Sequence, residues 1–149
     1  MYPLVLGLHN VVRWVVIALG VWAVMLAWRG WLARGIWREQ ESRAARLFVT
    51  ALDVQLLLGL LLYAFFSPLT RRGFADPVAA MREAPVRYFL VEHTVIMLTA
   101  IVLAHVGWSR VKRAASDSQR FQQAALWLGI ALAAVVGFVP WWRPLFPNF

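Results

Sequence analysis

Near the N-terminus the chain reads LVLGLHNVVRWVVIALGVWAVMLAW over residues 4–28. This run is long enough to cross about 30 Å of hydrocarbon as a tilted helix. Its strongly polar residues are His9, Asn10 and Arg13. Because no basic region precedes the run and no small-residue cleavage site follows it, we expect a retained membrane helix and not a cleaved signal peptide.

Three further apolar runs follow at residues 47–66, 88–108 and 121–139. Prolines stand beside the ends of the second and fourth runs, where residues that cannot continue a helix are expected. Tryptophan and tyrosine gather near the ends of the runs, as they do at the headgroup level of a bilayer. The sequence therefore predicts an all-α integral membrane four-helix bundle that forms a single transmembrane domain over residues 1–149.

Composition supports the same fold class and excludes others. Hydrophobic residues make up 62% of the 149 residues and charged residues 15%, whereas about 25% of a soluble domain is charged. A soluble domain of this size could not hide so much apolar surface. The chain has no cysteine, which excludes disulfides and thiolate metal sites. The net charge of +8 sits in the connections, which favours lipid headgroups over nucleic acid as the partner.

The distribution of basic residues predicts the orientation of the bundle. The first and third connections hold nine of them: Arg29, Arg34, Arg38, Arg43, Arg46, Arg110, Lys112, Arg113 and Arg120. The second connection and the C-terminal tail hold five: Arg71, Arg72, Arg82, Arg87 and Arg143. Since basic loops stay in the cytoplasm, we expect both termini on the non-cytoplasmic side of a bacterial cytoplasmic (inner) membrane.

Small residues on helix four predict a close helix contact. Gly129, Ala133 and Gly137 recur every four residues, and such a spacing lets another helix approach closely. The connection between helices two and three contains three prolines and is expected to hold a short surface helix at about residues 78–83.

The polar residues inside the spans fall into two layers. His9 and His93 lie about one and a half turns into helices one and three, counted from the same end of the bundle. Arg13 follows His9 by four residues and shares its face. Asp53, Gln55 and His105 lie in the second layer, and His105 is about 18 Å from His93 along the helix axis.

The first layer predicts a haem site between helices one and three near the outer face. Two opposed neutral imidazoles, His9 and His93, are suitable axial ligands for the iron of haem b. The Arg13 guanidinium would suit a haem propionate. Two alternatives stay open: both histidines are packing residues that hydrogen-bond across helices, and Arg13 forms an ion pair with Glu92, which could instead orient a histidine ring.

The second layer predicts a different role. Asp53 and His105 do not form an ordinary two-histidine haem site. A hydrogen bond between them would hold helices two and three together, and a proton-relay role is the alternative, since such pairs serve that purpose in membranes.

Several short motifs resemble a known group of proteins. They are His9-Asn10-x-x-Arg13-Trp14, Gln55-Leu56-Leu57-Leu58-Gly59-Leu60 with Tyr63, Glu92-His93, His105-x-Gly107-x-x-Arg110 and Pro140-Trp141. Together they resemble a family of small four-helix bacterial membrane proteins labelled cytochrome-b-like. The resemblance implies a haem-associated role for His9 and His93, and for His105 as a further candidate. Some members have histidine where this chain has Asp53, and this departure argues against a second haem.

Three functions are therefore compared. The first is a b-type haem protein that takes part in single-electron transfer with a quinone or a redox partner subunit. The second is a cofactor-free accessory subunit of a larger respiratory or photosynthetic membrane complex, which the aromatic tail at residues 141–149 would help to dock. The third is a small proton or ion transporter that uses Asp53, Gln55 and His105. No nucleophile elbow, phosphate loop or zinc motif is found, so an enzymatic role stays open only as an oxidoreductase acting through haem.

Overall fold

The computed structural model describes residues 1–143 and shows an all-helical chain. Seven α-helices are described: α1 (Tyr2–Leu32), α2 (Glu39–Leu61), α3 (Pro68–Ala75), α4 (Pro77–Arg82), α5 (Ala84–Arg87), α6 (His93–Arg113) and α7 (Asp117–Gly137). A π turn, Leu62–Phe66, prolongs α2, and a second one, Tyr88–Glu92, joins α5 to α6. Residues 144–149, most of the aromatic tail, lie outside the described part.

Four long helices result from these elements, and each is long and apolar enough to cross a membrane. Helix one is α1, helix two runs over Glu39–Phe66, helix three over Ala84–Arg113, and helix four is α7. The four predicted long apolar helices are confirmed. All four helices extend beyond the predicted apolar runs at one end or both, because polar residues continue the helical turns past the apolar stretch.

The connection between helices two and three is built from capped short helices. Ser67 and Asp76 accept hydrogen bonds from the backbone N–H groups of Thr70 and Ala79. A proline follows each cap, at the helix position where the missing N–H costs nothing. The expected surface helix is present as α4, one residue earlier than predicted.

The four long helices form a ring in which α1 packs on α2 and on α7, α7 packs on α6, and α6 closes on α2. The contact between α2 and α6 is the sparsest of the four. The N-terminus and Arg143, the last described residue, lie at one end of the bundle, which we call the termini end. Small residues bring the backbones together in the core: Ala100, Ala104 and Ala131 are fully buried, and a Cβ added to Gly107 would lie 2.5 Å from the Cβ of Trp127.

The seam predicted on helix four does not serve this packing. Ala133 and Gly137 are exposed, and a Cβ added to Gly129 or Gly137 would meet nothing within 4 Å in the described structure. The opposite face of α7, with Ala124, Leu128 and Ala131, packs into the bundle instead. The expected close contact along the seam is therefore not made with another helix of residues 1–143.

Candidate functional site

A cavity of about 140 Å³ lies among the four helices at the termini end of the bundle. Its wall is mostly apolar, and six strongly polar side chains border it: His9, Asn10, Arg13, Gln55, His93 and Arg143. The structure thus brings the three residues of the first predicted layer to one cavity. It also adds Asn10 and Arg143, and it corrects the placement of Gln55, which borders this cavity and does not lie with Asp53 and His105 in the second layer.

His93 is held by the C-terminal end of helix four. Its Nδ1 lies 3.0 Å from the carbonyl oxygen of Phe138, and since a carbonyl can only accept, we assign the ring proton to Nδ1. The Tyr88 hydroxyl donates to the same oxygen at 2.6 Å. This carbonyl can accept bonds from side chains because helix four ends at Gly137, so no later helical turn uses it. Pro140 follows two residues after Phe138. The neutral ring keeps a lone pair on Nε2, as a metal-binding histidine requires.

His9 lies against the backbone of helix two. A Cβ added to Gly59 would come 3.4 Å from Cε1 of His9, so glycine leaves the room that the ring occupies. The His9 carbonyl accepts a hydrogen bond from Nε2 of Gln55 at 3.1 Å. Nδ1 of His9 and Oε1 of Gln55 are buried and have no hydrogen-bond partner among residues 1–143. A buried polar atom without a hydrogen-bond partner costs free energy.

Arg13 is a buried cation with free donors. Its exposed fraction is 7%, and its Nε and Nη1 have no hydrogen-bond partner among residues 1–143. The alternative ion pair between Arg13 and Glu92 is not formed, because the Glu92 carboxylate lies 2.8 Å from Nε of Arg87. These two residues are five apart across the second π turn, and a π turn stacks residues at that spacing.

Arg143 reaches the cavity from beyond the end of helix four. Its guanidinium lies 4.2 Å from the ring centroid of Phe89. The chain turns back after Pro140: Nε1 of Trp141 donates to the Val136 carbonyl at 3.0 Å, and its ring contacts Trp14. Sequence reasoning counted Arg143 only as a charge of the tail. The proline followed by two tryptophans was the signal for a turn onto the bundle.

The cavity is covered at the termini end and open at its side. The covering helix α3 contributes Thr70, which is 3% exposed and donates to the Tyr63 carbonyl at 2.8 Å. Leu60 on helix two and Leu98 on helix three also border the cavity. Leu60 is 46% exposed and Leu98 is 42% exposed. The cavity therefore opens sideways, between helices two and three.

Asp53 and His105 do not border this cavity. The predicted hydrogen bond between them is confirmed: Nε2 of His105 lies 2.8 Å from Oδ1 of Asp53, and the bond joins α2 to α6. Their side chains are 46% and 51% exposed.

Residues 1–143 contain no group of three or more histidine, aspartate or glutamate side chains that could hold a metal ion. Haem iron, by contrast, needs only two axial side chains. Comparisons with protein-family models, curated proteins and solved structures find no match to this chain.

Proposed function

We propose that this protein is a b-type cytochrome of a bacterial inner membrane, with one haem b held between His9 and His93 and both termini outside the cytoplasm. The observation that carries the proposal is the pairing of two imidazoles, from helices that stand opposite each other in the ring, on one largely apolar cavity. A haem bound there would supply a one-electron Fe³⁺/Fe²⁺ couple.

The imidazole nitrogens of His9 and His93 are suitable ligands for the iron of haem b. Nε2 of His93 is available because Nδ1 is engaged with Phe138, and the hydrogen bond would raise the basicity of the ring. His9 offers an imidazole with a buried Nδ1 that lacks a partner in the described chain.

Two guanidinium groups suit the two propionates of a haem. Arg13 and Arg143 both border the cavity, and no carboxylate of residues 1–143 forms an ion pair with either. Guanidinium–carboxylate pairs are strong when they are shielded from water. The unsatisfied donors of Arg13 therefore support a bound dicarboxylate.

The visible spectrum tests the proposal. Protein purified from haem-sufficient cells should show the reduced-minus-oxidised bands of a low-spin b-type haem, with about one haem per chain by pyridine haemochrome assay. His9→Ala and His93→Ala should each remove that haem, and His105→Ala, a matched histidine outside the cavity, should retain it. Absence of haem from the unaltered protein would refute the proposal, as would retention of the low-spin spectrum in both cavity variants.

A second candidate is the accessory subunit of a larger membrane complex. The specific observation in its favour is the seam of Gly129, Ala133 and Gly137, which faces away from the bundle and is not covered by any helix of residues 1–143. In lipid, close approach along such seams drives helix association. Mild extraction followed by native electrophoresis tests this candidate, and a particle that contains only one chain under every condition would count against it.

A further inference from the structure

The Asp53–His105 pair lies on the surface of the bundle between helices two and three, beside a strip of exposed apolar residues that we call the groove. The groove is bordered by Asp53, Leu57, Leu60, Leu98, Val102 and His105. Seven residues separate Leu60 from Asp53 and Leu98 from His105, which is two helical turns and returns to the same face. The groove thus runs from the side opening of the cavity down to the pair.

The groove is apolar apart from that pair. Leu57 and Val102 are 63% and 60% exposed, and α2 and α6 contact each other more sparsely than the other neighbouring helices do. When the four long helices cross a membrane, this surface of helices two and three faces hydrocarbon. A half-exposed carboxylate and imidazole at membrane depth are costly unless a partner or ligand satisfies them.

The pair offers acceptor atoms to a ligand. Nε2 of His105 is engaged with Asp53 at 2.8 Å, and its Nδ1 makes no hydrogen bond within the described residues. With the Nε2 proton donated to the carboxylate, Nδ1 carries the lone pair. The ligand that complements this arrangement brings an O–H or N–H group.

The charge of Asp53 and the apolar neighbours of the pair restrict the chemical class of the ligand further. The Asp53 carboxylate disfavours the phosphate of an anionic lipid, and the two apolar rows favour a long hydrocarbon tail. A phenolic hydroxyl is a better donor to imidazole than an aliphatic one, because its pKa is about 10. Trp108 follows His105 by three residues and lies one turn further along the same face, where an aromatic ring can pack.

We propose that this groove binds a lipid-soluble hydroquinone, with a headgroup hydroxyl donating to Nδ1 of His105 and the tail lying along Leu57, Leu60 and Val102. Asp53 acts as a positioning residue that fixes the tautomer and orientation of the imidazole. The site is separate from the cavity, and its occupancy does not depend on a haem.

Photolabelling measures this binding directly. The full chain in lipid nanodiscs is exposed to a diazirine derivative of decyl-hydroquinone under reducing conditions, and the labelled peptides are identified by mass spectrometry. Label is expected within residues 53–60 and 98–108 and should be displaced by unmodified decyl-hydroquinone. A decylbenzene diazirine without hydroxyls should label these peptides about tenfold less, as expected for the loss of one well-made hydrogen bond.

Variants show whether the pair is responsible. His105→Phe and the double variant Asp53→Leu/His105→Leu should both reduce labelling about tenfold. The double variant leaves no unpaired buried charge and so tests the site even if His105→Phe fails to fold. Thr99→Val, on an exposed face of helix three, should label like the unaltered protein. Equal labelling by the hydroxyl-free probe, undiminished labelling of the double variant, or displacement by diacylglycerol as efficient as by hydroquinone would overturn the proposal.

Discussion

The carboxylate of Glu92 lies 2.8 Å from Nε of Arg87, and Arg87 also donates through Nη1 to the Met81 carbonyl at 3.0 Å. Glu92 is thereby tied to the connection formed by residues 68–87, which we call the covering segment because it includes the covering helix α3 at the termini end of the bundle. Arg13 remains a buried cation with two nitrogen atoms that have no hydrogen-bond partner in residues 1–143. The electrostatics of the cavity are therefore positive, and a ligand that carries acids complements them.

Replacing Arg13 should affect the empty and the loaded protein in opposite directions. Arg13→Leu removes a buried charge without an ion-pair partner in the described chain, so the haem-free protein should become more stable by about 1 kcal/mol or more. Haem should dissociate at least about tenfold faster, because a propionate contact is lost. Unfolding in detergent and haem transfer to apomyoglobin measure the two effects. Destabilisation of the haem-free protein would mean that the fold itself depends on Arg13.

Glu92→Gln should leave the cavity unchanged. The Arg87–Glu92 pair is about two-fifths exposed on both sides, and exposed pairs contribute about 1 kcal/mol or less. Haem content and dissociation rate should therefore equal those of the unaltered protein. A tenfold change in haem dissociation would show that Glu92 interacts with Arg13 or with a ligand after all.

Enlarging residue 59 should displace His9. Gly59→Ala adds a Cβ at an ordinary contact distance from the ring, 3.4 Å, and should be tolerated with no loss of haem. Gly59→Leu adds three further carbon atoms toward the space of the imidazole and should lower haem content at least about tenfold, since overpacking of a close contact forces the side chains apart. Gly129→Leu is the matched control, because nothing lies within 4 Å of its added Cβ. Equal haem content in the two leucine variants would contradict the position assigned to His9.

The orientation can be measured cleanly because the chain has no cysteine. Ala75→Cys lies in the exposed covering segment and Ser118→Cys at the start of helix four, at the opposite end of the bundle. A membrane-impermeant maleimide should label the first variant in intact spheroplasts and the second only after permeabilisation. The reverse pattern would place both termini in the cytoplasm and contradict the orientation expected from the basic residues.

Residue counting along the helices predicted much of the site. Each residue advances an α-helix by about 1.5 Å, so the shared depth of His9 and His93, and the pairing of Asp53 with His105, followed from the spans alone. These are relationships along helix axes, and they depend little on how the helices rotate. Whether the histidines bind haem stays a prediction.

Relationships that depend on rotation or on chain reversal could not be obtained in this way. An ion pair between Glu92 and Arg13 stayed open as an alternative because nothing in the sequence marks the π turn that places Glu92 beside Arg87. Gly129 and Gly137 were expected to pack inside the bundle because a spacing of four residues does not show which face of helix four points inward. Arg143 was missed because its position depends on the chain folding back after Pro140.

The two π turns also determine how the residues before and after each turn are rotated about the helix axis. A π turn holds about one residue more than an α-helical turn of the same rise, and one residue corresponds to about 100° around the axis. The segment from Pro68 to Arg87 is bracketed by these two phase shifts, at Leu62–Phe66 and Tyr88–Glu92. Deleting a single residue within either turn would leave four spans of adequate length, yet it would swing this segment by more than a quarter turn. The closure of the cavity at this end thus depends on one additional residue in each π turn. A difference in length of one residue does not change the hydropathy profile.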